Sequence, residues 1–168
     1  HCQITNSRIL KEMKEHDILA YIQPVFVDLD MNTVEPAIGA HRMEGIYAWK
    51  SMLDLGIHAS GGSDAPVDSF DAMENIYFAV TRKNIHGEPK DGWIPSERLS
   101  VDEAVKLFTK DAAYASYTED ENGTIEIGKN ADFVILEKDI YKIDPDEIRT
   151  TKVDMTILGG RTVYERKM

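Results

Sequence analysis

The chain has 168 residues, 42% hydrophobic and 29% charged, the size and balance of one globular domain with room for a small appendage. Its 30 acidic and 19 basic side chains leave a net charge of -11, which repels nucleic-acid phosphates and anionic lipid surfaces. Cys2 is the single cysteine, so an internal disulfide framework is excluded, and neither a run of ~18 apolar residues nor a basic region followed by an apolar stretch marks a membrane span or secretory leader. The expectation is a soluble, cytoplasmic protein with no nucleic-acid or membrane partner.

The chain opens on His1-Cys2-Gln3-Ile4-Thr5-Asn6 with no apolar strand ahead of it, which reads as a cut within a longer polypeptide. Thr5-Asn6 is a helix cap, and Ile9, Leu10 and Met13 at helical spacing predict an amphipathic helix over residues 7–16. After Asp17, residues 18–22 read as a strand buried on both sides, stopped by Gln23-Pro24 and fading through Val25-Phe26-Val27. Residues 28–41 show no sustained period and contain Pro36 and Gly39, so they are expected to form a long loop of the kind that often carries function. Met43, Ile46, Tyr47, Trp49, Met52 and Leu53 predict a second helix over 42–55, capped by Gly56 and leading into a strand at 57–60.

That strand ends in Gly61-Gly62-Ser63-Asp64-Ala65-Pro66-Val67, the stretch with the strongest functional signal. Two glycines let the backbone approach a ligand closely, and the residue before Pro66 is biased to an extended conformation. Asp64 is then placed at the C-terminal end of a strand, the chemical face in a (β/α) barrel. There it acts as a metal ligand or general base, or it caps the turn or the helix beginning at 69–74.

A third helix is predicted over 70–82 from Met73, Ile76, Tyr77 and Val80, and the polar stretch 83–99 has the composition of a pocket rim or lid. Ser100 and Glu103 form a capping box for a fourth helix reaching residue 117. From Gly123 the pattern changes to strands at 124–127, 131–136, 153–158 and 161–164, with a short helix at Asp144-Pro145 and a Gly159-Gly160 hairpin turn. The fold class is α/β with a small β appendage.

Among the remaining polar residues, His16, His58 and His86 fit capped, packed or solvated positions, whereas His41 beside Arg42 lies over the expected active face. Arg42 and Arg82 either bind a substrate carboxylate or compensate charge at helix ends on the surface. Trp49, Met43, Met52 and Met73 fit a helix-packing core, and Cys2, adjacent to His1, points to the opposite face of any strand they share.

Taken together, five stretches resemble the amidohydrolase superfamily, and within it the amidohydrolase-3-like metal-dependent hydrolases that include N-substituted formamide deformylases. They are His1-Cys2-Gln3, Gln23-Pro24 after a strand, Gly62-Ser63-Asp64-Ala65-Pro66-Val67, the 100–113 helix with Thr109 before Ala112-Ala113, and the Gly-x-Ile-x-x-Gly-Lys-x-Ala-Asp run from Gly123 to Asp132. The resemblance covers nearly the whole chain and implies the C-terminal part of a (β/α)8 TIM-like barrel, strands seven and eight with their helices, over 1–118. Residues 119–168 would supply strands of a small β-sandwich. By the same resemblance His1 is the metal-binding histidine ending strand six. Asp64 is the aspartate ending strand eight, which sits beside the metal and relays a proton from water to the leaving amine. Gln23 is a candidate pocket residue.

The implied cofactor is a divalent metal, zinc, as one or two ions, and the implied substrate is a small molecule with a non-peptide, amide-type carbon–nitrogen bond. The family's N-terminal His-x-His pair, its bridging lysine or glutamate and its strand-five histidine have no counterpart here. The chain by itself is therefore expected to bind metal weakly, to be inactive, and to associate through unpaired strand edges as a homodimer or higher oligomer. Two other readings stay open: a non-catalytic interaction or regulatory module that keeps the fold, and a different barrel enzyme binding phosphate through the Gly61-Gly62 backbone.

Overall fold

In the computed structural model, which describes residues 1–167, Asn6 accepts hydrogen bonds from the Arg8 and Ile9 amides and opens α1 (Ser7–Glu15), which buries Leu10 and Met13. The chain then enters β1 (Ala20–Ile22), which pairs in parallel with β2 (Ala59–Gly61), Ala20 opposite Ala59 and Ile22 opposite Gly61. Ala20 and Ile22 are fully buried but Tyr21 is half exposed, so the strand is shorter than 18–22 and covered on one side rather than two. This sheet has two strands among the described residues, and the Tyr21 hydroxyl donates to the Ala115 carbonyl at 3.1 Å, while Ser60 opposite Tyr21 is buried.

Beyond β1 the chain does not stay extended. Pro24, with its fixed φ, starts a 3-10 helix over Pro24–Phe26, followed by α2 (Val27–Asp30) and α3 (Val34–Ile38). The long loop expected over 28–41 is therefore largely helical. The helix expected over 42–55 is corrected in the opposite direction, since only α4 (Trp49–Asp54) forms. Gly45 and Tyr47 take φ of +85° and +48°, which leaves the helical path. Residues 45–47 instead lie along residues 3–5: the Thr5 amide donates to the Gly45 carbonyl at 3.0 Å and the Tyr47 amide to the Gln3 carbonyl at 2.9 Å. Ile4 and Ile46 form an antiparallel bridge between them. Apolar spacing does not separate the two paths, because Ile46, Tyr47 and Trp49 are buried in the one observed and would be in a helix too.

Asp71 caps α5 (Ala72–Thr81) by accepting from the Met73 amide at 2.9 Å, and Arg82 ends it in the left-handed conformation. Buried Asn75 ties α5 to the 3-10 helix after β1 by accepting from the Val25 amide at 3.1 Å. The fourth predicted helix divides into α6 (Val101–Leu107) and α7 (Lys110–Ala115), because Thr109 leaves helical dihedrals at φ -130°, ψ -95°.

The capping box at α6 forms as expected: the Ser100 hydroxyl accepts from the Glu103 amide at 3.2 Å, and Glu103 accepts from the Ser100 amide at 2.8 Å and from Lys50 at 2.9 Å. Burial opposes ionisation of Glu103, but these donors outweigh it and hold its carboxyl below the usual range. A carboxyl lowered in the folded state contributes stability that is complete above its unfolded value and is lost as pH falls through the folded one. Glu103→Ala is therefore expected to cost about 1 kcal/mol at pH 7 and less at pH 3. Urea denaturation at both pH values checks this, and an undiminished gap in acid would assign the cost to packing.

In the last third, β3 (Phe133–Leu136), β4 (Val153–Leu158) and β5 (Arg161–Glu165) form an antiparallel sheet in the order β3-β4-β5. Gly159 and Gly160 both take positive φ, +55° and +75°, as the predicted two-residue hairpin requires. The strand expected at 124–127 does not form. Those residues turn, with Ile125 and Ile127 exposed, because no strand among the described residues lies beside them. The Asp144-Pro145 helix is a 3-10 helix over Pro145–Thr150.

Candidate functional site

The parallel pair β1–β2 points its C-terminal ends the same way, and three polar side chains meet there. Gln23 follows β1 directly, where Pro24 and the Asn75 bond fix the turn. Asp64 follows β2 by three residues in a turn closed by the Val67 amide donating to the Asp64 carbonyl at 2.8 Å. His1 arrives from the segment braced against residues 45–47.

The His1 ring lies between the other two. Nδ1 is 2.7 Å from Gln23 Oε1 and Nε2 is 3.8 Å from Asp64 Oδ2, while the ring leans on Phe26 with centroids 5.5 Å apart. In the neutral tautomer with the proton on Nδ1, that nitrogen donates to the Gln23 carbonyl and Nε2 presents its lone pair toward Asp64. The facing side chains are 50% and 41% exposed, so both donors open to the surface rather than into the core.

Asp64 takes φ +56°, a left-handed conformation that aspartate tolerates better than most residues. Its carboxylate makes no hydrogen bond among the described residues, and the helix it was expected to cap is capped by Asp71 instead. The capping reading of Asp64 is thereby corrected.

Gly61 has another reason to be small than ligand approach. A Cβ on Gly61 would sit 2.6 Å from the Phe108 ring, so Gly61 is small because α6 ends against it. The Gly62 amide donates to the Ile22 carbonyl at 2.9 Å, so it is not free for a phosphate. That bond argues against the phosphate-binding reading.

As metal donors, the imidazole nitrogen and the carboxylate fit a divalent ion as two of its ligands. Among the described residues no group of three or more His, Cys, Asp or Glu side chains could hold one. Cys2, with φ +50°, is partly buried against the core.

The other candidates lie elsewhere. His41 and Arg42 line an outer cavity of about 440 Å³ with Ile4, Thr5, Asn6, Ser7 and Glu44. His58 stacks on Tyr114 at 4.2 Å, and exposed His86 and His16 take no part.

Arg82 is corrected most. Instead of a surface residue it is fully buried, donating to the Trp93 carbonyl at 2.6 Å and the Tyr47 carbonyl at 3.1 Å, with its guanidinium 4.6 Å from the Trp49 ring centroid. Burial pushes it down to about 10, with Glu97 and Tyr47 pulling the other way, so it remains a cation at neutral pH.

The amidohydrolase family model matches residues 1–164. The chain belongs to the amidohydrolase family. It is 35% identical over 166 residues to YtcJ of Bacillus subtilis (strain 168), an amidohydrolase by inferred name, covering 99% of this chain and 31% of that protein. It is 34% identical over 121 residues to the N-substituted formamide deformylase of Arthrobacter pascens, covering 72% of this chain and 22% of the relative. The chain thus spans about a third or less of the length of these relatives. A crystal structure of a metal-dependent hydrolase from Pyrococcus horikoshii OT3 superimposes with a TM-score of 0.75 at 21% identity, covering 86% of this chain and 29% of that one, a likeness of fold.

Within this amidohydrolase chain, sequence reasoning missed the surroundings of His1. Sequence pattern places Phe26 in a fading strand and Asp30 in a loop, and it counts Tyr47 as helix core. Gln3 falls in the family motif without a role. The one local signal is that Gln3 lies two residues from His1.

Proposed function

We propose that the whole protein is a metal-dependent amidohydrolase that hydrolyses a non-peptide, amide-type carbon–nitrogen bond of a small molecule in the cytoplasm. In this reading the chain supplies one metal-binding histidine, His1, and the proton-carrying carboxylate, Asp64. The observation that carries it is His1 Nε2 facing Asp64 Oδ2 at 3.8 Å beyond the C-terminal ends of a parallel strand pair, with Nδ1 engaged by Gln23. β1 and β2 then stand as strands seven and eight of a (β/α)8 barrel within residues 1–118, and 119–168 as strands of a β-sandwich. Support comes from the strand pair, which has no further neighbour among the described residues, and from Val134, Ile135, Leu158 and Val163 exposed on the second sheet.

A divalent metal, zinc in one or two ions, supplies water acidification and carbonyl polarisation when bound. Asp64 holds the proton released by the attacking water and delivers it to the departing nitrogen, since an amine leaves poorly unprotonated. Its freedom from structural hydrogen bonds leaves both oxygens available for that transfer. Gln23 keeps the His1 tautomer fixed with Nε2 free to coordinate.

The test is turnover of N-substituted formamides and related amides by the whole protein, prepared metal-free and then loaded with zinc. Activity is expected only with metal and is expected to be absent from residues 1–168 alone. Light scattering on the same samples should find a homodimer or higher oligomer. Turnover unaffected by chelation would overturn the reading in favour of a metal-independent enzyme, and no turnover by the zinc-loaded whole protein would overturn it in favour of the non-catalytic module.

A further inference from the structure

We infer that Gln3, Asp30 and Tyr47 form a positioning cluster that sets the direction of the His1 imidazole, an inference resting on the reading of His1 as a metal ligand. Gln3 is held at both ends. Its side-chain nitrogen donates to Asp30 Oδ2 at 2.7 Å and to Tyr47 Oη at 2.7 Å, and its carbonyl accepts from the Tyr47 amide at 2.9 Å. The Tyr47 hydroxyl in turn donates to the same Asp30 oxygen in a short hydrogen bond. One carboxylate oxygen thus gathers two donors, Gln3 from the segment that carries His1 and Tyr47 from a separate one.

Cys2, the one residue between this anchor and His1, has φ +50°. A non-glycine residue there is strained and persists only where its surroundings over-determine it. On the His1 side the Gln23 bond and the Phe26 ring hold a half-exposed imidazole. The bonds of Gln3 contribute to that determination.

Tyr47 is a rigid post for that purpose. It is buried, its ring stands edge-on to Trp49 and Trp93 with centroids 5.5 and 5.3 Å away, and its carbonyl accepts from buried Arg82. Burial, together with the bond to Asp30, pushes the phenol far up, so it stays a donor at any working pH. The path runs from the Arg82 end of α5 through Tyr47 and Gln3 by hydrogen bonds, and from Gln3 to His1 by the two peptide units that flank Cys2.

Tyr47→Phe in the whole protein removes one hydroxyl and keeps the ring. Zinc affinity, measured by competition with a chromogenic chelator, is expected to fall about tenfold, the scale at which outer-shell partners act on a ligand. Asp30→Asn, nearly isosteric, should weaken zinc binding in the same direction, and His1→Ala should abolish the contribution of that ligand. Thermal melting of the metal-free proteins normalises each titration to folded material. Wild-type zinc affinity in folded Tyr47→Phe and Asp30→Asn, with His1→Ala impaired, would overturn the positioning role alone. Wild-type affinity in His1→Ala would overturn the ligand reading beneath it.

Discussion

Asp64→Asn in the whole protein is expected to lower kcat by about 10²- to 10⁴-fold while the protein folds as before. The size follows from the role: a positioned group that takes a proton from water and gives it to a nitrogen is worth about that much, and an amide cannot do either. The specificity follows from the structure. The Asp64 carboxylate makes no hydrogen bond among the described residues, so the substitution removes no structural bond, and asparagine tolerates the left-handed φ of +56° as aspartate does. Steady-state kinetics, a melting curve and zinc stoichiometry on one preparation separate the possibilities. A loss of kcat with zinc retained supports proton transfer. Loss of both assigns Asp64 mainly to metal binding, and a change below tenfold would move the proton to another residue.

How much of this was legible in the sequence depends on how local the determinant is. The α1 cap at Asn6, the Ser100–Glu103 capping box and the Gly159-Gly160 hairpin form where their residues predict, because each is decided within four residues. The family was legible for a related reason, since its motifs are short runs in a fixed order and the match extends over residues 1–164. The proximity of His1, Gln23 and Asp64 was implied by that resemblance and by no feature of spacing, because the residues lie on three different segments.

What failed was decided by distant partners. Gly61 reads as a ligand-approach glycine until Phe108, 47 positions on, is seen against it. Arg82 reads as a surface charge because α5 ends there, yet two tryptophans and two carbonyls from other segments enclose it. Strand 124–127 has the composition of a strand and lacks a neighbour among the described residues, and a strand without a ladder leaves its backbone groups to water. The helix over 42–55 failed on Gly45, whose position inside an otherwise regular apolar pattern was the one local warning.

Gly45→Ala tests that last point and is expected to destabilise the protein by about 3 kcal/mol. Two costs combine. At φ +85° a side chain is strained whatever room it has, and a Cβ there would lie 2.6 Å from the Thr5 carbonyl oxygen, a backbone atom that cannot rotate aside. Thr5 cannot retreat freely either, since its amide and hydroxyl both donate to the Gly45 carbonyl, at 3.0 and 2.7 Å. The strand-like contact between residues 3–5 and 45–47 must therefore open, and with it the hold on Gln3 that directs His1. Zinc affinity should fall along with the urea midpoint. Gly62→Ala is the control: it has no positive φ and no atom within 4 Å of the added methyl, so its effect should stay within about 0.5 kcal/mol. Were Gly45→Ala instead neutral or stabilising, residues 42–55 would be the continuous helix that their apolar spacing suggests, and His1 would need another support.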